Sequence, residues 1–287
     1  DGDVAPPIQT DETATTLFLF ARTIQSAIKS GDKLENWREL YQELGRPMAN
    51  FLADYIDPAN KLPRPSYELW EVLYQTTTYC AAATFGALSA AADLAEIFNE
   101  TGNAIKWRNV ATEIQAASDV FWNKDRHYFY RGFWRRSSGH TDFDATIDAS
   151  AFYGAWAFRL FDQDKLETAF RTLTERFYIR DDNVGLPRFE NDDYNHTGHN
   201  SDGNPWFITS FWLAQYQAER GETDLTKKVL DWANGQMTRT NVLPEQVSPV
   251  DGRMLSAAPL SWSHAEFINT CLDYGNPKTD STKEGQK

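Results

Sequence analysis

The sequence is poor in cysteine, in basic residues and in long apolar runs, and each shortage excludes a class of protein. Its 2 cysteines are too few for a disulfide framework or a four-cysteine zinc site. With 28 Lys and Arg against 41 Asp and Glu, the net charge of −13 argues against a nucleic-acid partner, because phosphate contacts need clustered cations. No stretch approaches the roughly 18 consecutive apolar residues of a membrane-spanning helix, so we expect no membrane contact.

Aromatic and other apolar residues are plentiful. Apolar residues make up 41% of the 287 positions, and aromatic residues alone 14%, which excludes a disordered chain. The 10 Trp, 12 Tyr and 18 Phe supply flat faces that carbohydrate sites and large cores both use, and composition alone favours a core. No linker-like stretch or shift of composition divides residues 1–287, so we predict a single domain.

Apolar residues recur with the spacing of an α-helix in nine segments. The predicted helices cover residues 12–30, 37–55, 68–98, 103–122, 146–160, 165–176, 205–220, 223–236 and 260–274. Asp11 is the predicted N-cap of the first helix, and residues 128–133 are a predicted hairpin arm. Loops beyond about 15 residues are usually functional, and long connections are predicted near 57–67, 123–145, 177–204 and 237–259. Short and long connections in alternation favour a toroid of helical hairpins over an ordinary bundle.

A proline-containing loop leads to the first acidic cluster, Tyr67-Glu68-Leu69-Trp70-Glu71, at the predicted start of the third helix. When two carboxyl groups lie close together among aromatic rings, the pKa of one of them can rise, because burial and like charge both disfavour ionisation. A raised pKa is what a general acid needs near neutral pH. The alternative is a capping cluster, since acids are favourable at a helix N-terminus, and the segment read alone favours this alternative.

Two further loops carry polar candidates. Gln246 or Ser256 can hydrogen-bond the Glu245 carboxylate and orient it as a base, and a surface glutamate is the alternative. Arg188 and Asp192 suit the recognition of sugar hydroxyls, because arginine donates in a fixed fork and carboxylates accept. A solvated ion pair is the alternative for these two residues. Two separated carboxylic acids with aromatic and arginine-bearing loops are typical of a glycosidase.

Motifs in these loops together resemble the glucoamylases and glucodextranases of glycoside hydrolase family 15. The resemblance lies in Pro63–Glu71 with the sequence PRPSYELWE, in Asn204–Phe207 with NPWF, and in Pro244–Gln246 followed by Ser261–Ser263. Gln9–Thr13 is similar to the bacterial members at a helix start. The motifs keep the family's order and extend over almost the whole chain, so together they are far more specific than any one alone.

The resemblance implies an all-α fold, an (α/α)6 toroid of helical hairpins with the active site at one end. It implies exo-acting, inverting hydrolysis that releases β-D-glucose from the non-reducing ends of α-1,4 glucans, the activity of a glucan 1,4-alpha-glucosidase. Glucans with α-1,6 linkages and trehalose are alternative substrates. Inversion requires the two carboxyl groups to lie roughly 6.5–9.5 Å apart with room for a water molecule. No cofactor or metal is implied, so we interpret His196 and His199 as loop histidines rather than zinc ligands.

The family's motifs also imply a role for each candidate residue. Glu71 matches the general acid and Glu245 the general base. Ser256 falls where the family places a hydroxyl bonded to that base, and Gln246 is the neighbour of the base. The implied sugar-binding residues are Tyr67, Glu68, Trp70, Arg188, Asp192 and Trp206.

Three departures from the family pattern affect this interpretation. The family toroid has twelve helices and an upstream strip with an Arg-Asp pair that grips the terminal glucose, whereas nine helices and no such strip are predicted here. We therefore predict an N-terminally incomplete fragment, whose exposed apolar helix faces are covered by a missing N-terminal segment or by another chain. Val72 occupies a position where many members carry a second acid, and Glu68 one where Asp is common, which puts the substrate preference in doubt.

Two other functions are alternatives. An inverting phosphorylase on a related toroid would use phosphate in place of water and would need no general base, so Glu245 argues against it. A non-catalytic glucan-binding or regulatory module would gain nothing from a poised acid and base. The expected partner is an α-glucan or maltooligosaccharide, and polymeric substrates usually lie outside cells, which favours a secreted or periplasmic protein. The chain starts without Met and without a signal-peptide pattern, so we expect that its native start has been removed.

Overall fold

The computed structural model describes residues 8–180, 182–198 and 202–276, and this part contains nine helical segments, as the periodicity predicts. Eight of the nine start within three residues of the predicted position. The helices are α1 (Thr10–Lys29), α2 (Glu35–Leu40), which continues through a π-helical turn (Tyr41–Gly45) into α3 (Arg46–Asp54), α4 (Thr78–Ile97), α5 (Thr101–Ala117), α6 (Ala149–Ala157), α7 (Gln163–Arg176), α8 (Phe207–Glu219), α9 (Thr223–Gln236) and α10 (Ser261–Gly275).

Short antiparallel strands connect the helices. The strands are β1 (Ser66–Tyr67), β2 (Tyr74–Thr77), β3 (Trp122–Asn123), β4 (Tyr128–Phe129), β5 (Gly132–Arg135), β6 (Thr141–Asp144), β7 (Gln246–Val247) and β8 (Met254–Leu255). One sheet has the order β1-β2-β5-β6, and β3-β4 and β7-β8 are two-stranded ribbons. The predicted hairpin arm over 128–133 is wrong, because its residues divide between β4 and β5, which belong to different sheets.

The chain forms two compact units. Among the described residues, the first unit comprises 8–145 and 154–169, and the second comprises 146–153, 170–180, 182–198 and 202–276.

Helix α4 is the core of the first unit. Of its 20 residues, 15 are buried, and α1 and α5 pack against it. The small side chains that dominate α4 allow its neighbours to approach closely on every side. By length and composition α4 is long and apolar enough to cross a membrane, but 72% of its apolar window is buried inside the protein, as in the core helix of a packed domain.

The start of α4 differs most from the prediction. The Thr77 side chain is the N-cap and accepts the Cys80 backbone N–H at 3.0 Å. The predicted start at Glu68 is therefore wrong, and residues 68–73 connect β1 to β2. Asp11 is not the N-cap of α1, because the helix begins at Thr10 and Asp11 is buried inside its first turn.

Helix α8 is the core of the second unit. Its buried residues run from Phe207 to Ala218, and α9 and α10 pack against it. An apolar cluster joins the first half of α8 to α9 and to the neighbouring loops: Val184, Phe207, Phe211, Ala214, Val229, Ala233, Leu243 and Val247. This cluster anchors the loop segments that meet at the N-terminus of α8.

Candidate active site

The hairpin of β1 and β2 presents Glu71 in the turn at its tip. The strands pair in antiparallel register, and residues 68–73 form the connecting turn. The Glu71 backbone N–H donates to the Glu68 carbonyl oxygen at 2.7 Å, and the φ angle of Glu71 is 57°. Non-glycine residues rarely occupy this left-handed region. The chain therefore reverses sharply at Glu71, and its side chain is exposed.

The turn is folded around the carboxylate of Glu68. Oε2 accepts the Trp70 N–H at 2.9 Å, and Oε1 accepts the Val72 N–H at 3.3 Å and Arg131 Nη2 at 3.1 Å. Glu68 is 1% exposed. The resemblance implies that Glu68 contacts the sugar, but the structure directs its carboxylate into the protein. A role in shaping the turn fits these contacts better.

The aromatic residues around this turn differ in how much ring surface they expose. Trp70 is buried and Tyr67 is half-buried, whereas Tyr74, across the hairpin, is exposed. The rings of Tyr67 and Tyr74 meet edge to face, with their centres 5.5 Å apart. Tyr67 and Tyr74 are therefore the rings at this hairpin with surface available for stacking on a sugar.

A second buried carboxyl group lies near Glu68. The pKa of Asp11 is raised from 3.8 to about 7, chiefly by burial and to a smaller extent by the negative charge of Glu68. The Cys80 thiol lies 3.8 Å from Asp11 Oδ1, and both side chains are buried. Asp11 therefore titrates near neutral pH, close to the residue that shapes the turn.

In the second unit, three loop segments run side by side at the N-terminus of α8. Trp206 forms antiparallel bridges to Leu186 on one side and to Gln246 on the other. The Trp206 N–H donates to the Leu186 carbonyl oxygen at 3.0 Å, and the Phe207 N–H donates to the Glu245 carbonyl oxygen at 3.3 Å. Trp206 itself is the extended N-cap residue of α8. This pairing brings the three predicted motifs of the second unit together.

Arg188 and Asp192 form a buried ion pair among aromatic rings. Arg188 Nε and Nη2 donate to the two Asp192 oxygens at 2.8 and 2.7 Å. The side chains are 8% and 1% exposed, so a solvated ion pair is excluded. The guanidinium carbon lies 4.6 Å from the centre of the Trp206 ring and 5.1 Å from that of Tyr194, within the range of cation–π attraction. These contacts fix the guanidinium plane.

The backbone of Glu245 is held on both sides. Its N–H donates to the Ala257 carbonyl oxygen at 2.9 Å, and its own carbonyl oxygen accepts from Phe207. Its carboxylate behaves differently: Oε2 is buried and has no hydrogen-bond partner among the residues that the structure describes. Glu245 thus combines a rigid backbone with a carboxylate oxygen that the described protein groups leave available.

The expected orienting bonds to Glu245 do not form in the structure. Gln246 Oε1 instead accepts from Asn204 Nδ2 at 2.6 Å. The Ser256 hydroxyl lies 3.3 Å from the Tyr194 hydroxyl, and Ser256 is exposed with a φ of 61°. The prediction that Gln246 or Ser256 hydrogen-bonds Glu245 is therefore wrong, because each side chain is engaged by a different partner.

The described residues offer no group of three or more His, Cys, Asp or Glu side chains that could hold a metal ion. His199 lies outside the described residues, so the interpretation of the His196 and His199 pair stays a prediction.

Comparison with known proteins places this geometry in a family. The sequence profile of the glycosyl hydrolases family 15 matches residues 2–232. The chain belongs to this family. The matched range includes Glu71, Arg188 and Trp206 and ends before Glu245, so the family-15 match does not itself extend to the candidate base.

Solved structures and a curated relative agree with the family. An uncharacterized glycosyl hydrolase of Methanocaldococcus jannaschii is 25% identical over 71% of this chain and 33% of its own length. A glycosidase in complex with glucose has a TM-score of 0.73 at 21% identity, covering 96% of this chain and 70% of that chain. A bacterial glucoamylase in complex with acarbose has a TM-score of 0.73 at 20% identity, with coverages of 93% and 41%. The predicted all-α fold of the glucoamylase type is confirmed, and the chain spans a third of the curated relative.

The family 15 motifs assigned no role to Arg131, Tyr194 or Asn204, although Asn204 is the first residue of NPWF. Tyr194 and Asn204 lie in the loop that carries Arg188 and the NPWF motif, and only their contacts distinguish them from their neighbours. Arg131 gave no signal, because its partner Glu68 is 63 positions away in the sequence.

Proposed function

We propose that this chain carries the catalytic groups of an exo-acting, inverting glycoside hydrolase that releases β-D-glucose from the non-reducing ends of α-1,4 glucans. The observation that carries the proposal is Glu71: in a chain of family 15, an exposed carboxyl group lies in a turn that a buried ion pair braces. An exposed acid in a rigid turn can reach a bound sugar without first reorganising the backbone.

The two carboxyl groups have different roles in this proposal. The glycosidic C–O bond breaks as the Glu71 carboxyl gives its proton to the leaving oxygen. A water molecule forms the new C–O bond on the opposite face of the sugar and loses its proton to Glu245, which inverts the configuration. The buried Oε2 of Glu245, without a donor among the described residues, supports the role of base.

Arginine and aromatic groups are the proposed sugar-binding residues. Trp206 and Tyr194 flank the Arg188 guanidinium, which the Asp192 carboxylate holds in one orientation. At the hairpin, the partly exposed ring of Tyr67 supplies an apolar face for a sugar ring. Trehalose and α-1,6 glucans are the alternative substrates, and they belong in the same assay.

The proposal is tested by following glucose release from maltooligosaccharides, with the anomer of the first product identified by NMR. We compare the parent with Glu71→Gln and Glu245→Gln. Glu113→Gln and Glu175→Gln are matched controls, since both residues are exposed helical glutamates, one in each unit. The expected result is β-glucose from the parent and both controls, and a loss of about 10²- to 10⁴-fold in kcat for each candidate variant.

Each contrary outcome identifies an alternative. First release of α-glucose contradicts inversion. Glucose 1-phosphate formed only when phosphate is added indicates a phosphorylase. Glucan binding by the parent without release of sugar indicates a binding module.

A further inference from the structure

An arginine outside the family motifs forms a buried ion pair with Glu68, in the turn that carries Glu71. Arg131 Nη2 donates to Glu68 Oε1 at 3.1 Å, and the two side chains are only 5% and 2% exposed. Burying an ion pair costs several kcal/mol per ion in lost hydration, so such a pair is weak evidence for a stabilising role. Its geometry instead indicates what the pair positions.

The Glu68 carboxylate links Arg131 to both neighbours of Glu71 by hydrogen bonds. It accepts the backbone N–H of Trp70 and that of Val72, the residues on either side of Glu71. The intervening Glu71 is held at a φ of 57°. Strained backbone of this kind is unfavourable and persists only where the surroundings determine it.

Arg131 is itself fixed by backbone hydrogen bonds to two other elements. Its N–H donates to the Asp144 carbonyl oxygen at 2.8 Å, at the end of β6. Its carbonyl oxygen accepts the N–H of Thr78, the first residue of α4, at 3.0 Å. A rigid path therefore runs from the sheet and the core helix through Arg131 and Glu68 to the turn.

We propose that Arg131 is a positioning residue that acts through Glu68 to hold the Glu71 carboxyl group where it can donate a proton. This inference rests on the proposed function, in which Glu71 is the general acid. A residue with this role affects the reacting geometry more than the binding of the sugar. Its loss therefore lowers kcat and leaves KM nearly unchanged.

The test compares Arg131→Gln, Arg131→Lys and Glu68→Gln with the parent. Arg135→Gln is the matched control, because Arg135 lies in β5 near Arg131 but is exposed. We expect Arg131→Gln to lower kcat about 10²-fold with KM within about threefold, and Arg131→Lys to recover part of the loss because it keeps the charge. The double variant Glu68→Gln/Arg131→Gln should cost little more than either single change, since the two residues act as a unit.

Amide hydrogen exchange at Trp70 and Val72 supplies a second readout that needs no activity. Both amides should exchange slowly in the parent and in Arg135→Gln. In Arg131→Gln they should exchange faster by more than the loss of global stability accounts for, with amides elsewhere in the same unit as the reference. If Arg131→Gln does not fold, Arg131→Lys and Glu68→Gln carry the same comparison.

The two readouts separate the failure of this inference from that of the proposed function. A parent that releases no sugar from any α-glucoside contradicts the proposed function, and exchange at Trp70 and Val72 then decides alone whether Arg131 holds the turn. Full protection of both amides in Arg131→Gln, or a KM raised as much as kcat is lowered, overturns the positioning role.

Discussion

The side-chain amide of Asn204 donates to Gln246 Oε1 at 2.6 Å, and both side chains are buried. The same amide donates to the Asn195 carbonyl oxygen at 2.8 Å, and Asn204 Oδ1 accepts the Thr197 N–H at 3.1 Å. One asparagine thus ties the loop that follows Arg188 to the residue next to Glu245. The asparagine of the NPWF motif therefore has a structural role.

Replacing Asn204 by Ala should impair the candidate site more than the fold. The change removes these three hydrogen bonds and a fourth from the Thr197 hydroxyl. It also leaves Gln246 Oε1 without its donor, which costs about 1–3 kcal/mol for a buried polar group. We expect kcat/KM for maltooligosaccharides to fall about tenfold or more, measured against Asn234→Ala, an exposed change in α9. Equal kinetics in the two variants would show that this link does not support the site.

The Asp192→Asn variant tests the buried pair with Arg188. The neutral amide removes the carboxylate charge that lies against the buried guanidinium, and breaking such a pair costs about 3–5 kcal/mol. Urea unfolding should therefore show a large loss of stability, whereas Asp193→Asn, an exposed neighbour in the same loop, should change it by less than about 0.5 kcal/mol. Similar midpoints for the two variants would mean that the arginine finds another partner.

Asp11 should make the stability of the protein depend on pH. Its folded pKa of about 7 lies above the ordinary 3.8, so the folded chain keeps a proton that the unfolded chain has already released. The contribution of protonated Asp11 to the stability of the folded chain is complete below about pH 4 and is lost as the pH rises towards 7. The Asp11→Asn variant has no carboxyl group to ionise and does not lose this stability. Its free energy of unfolding should therefore exceed that of the parent by an amount that grows with pH, to at most about 4 kcal/mol.

Urea unfolding between pH 4.5 and 8 measures this difference. Glu35→Gln, an exposed change in the first turn of α2, is the control and should follow the parent. Parallel stability curves for Asp11→Asn and the parent would show that Asp11 is ionised in the folded state throughout this range.

The helices were predictable from the sequence because each depends on its own residues. A helix in this fold buries one face or all faces, so its apolar spacing is visible locally, and α9 has the predicted bounds. The start of α4 was not predictable in this way. The acids and aromatics of residues 67–71 are typical of a helix start, but they form a turn around Glu68, whose carboxylate pairs with Arg131, 63 positions away.

The candidate site shows the same limit. Motif order predicted the loops of Glu71, Arg188 and Glu245, and in the structure Arg188 lies in contact with the Trp206 ring. It does not confirm the hydroxyl assigned to Glu245, because Ser256 pairs with Tyr194, which is 62 positions away. The partner of a polar side chain is a property of the tertiary fold.

Two glycines provide a test of how closely the helices pack. A Cβ on Gly154, in α6, would lie 2.9 Å from Tyr79 Cδ2 and 3.1 Å from Tyr79 Cα, whereas a Cβ on Gly235, in α9, would have nothing within 4 Å. Gly154→Ala should therefore destabilise the protein by about 1–3 kcal/mol through overpacking. Gly235→Ala should stabilise it by up to about 1 kcal/mol, since alanine is the better helix former. Thermal unfolding of both variants measures the sign of each change in stability. A stabilised Gly154→Ala variant would mean that α6 and the start of α4 can move apart at little cost.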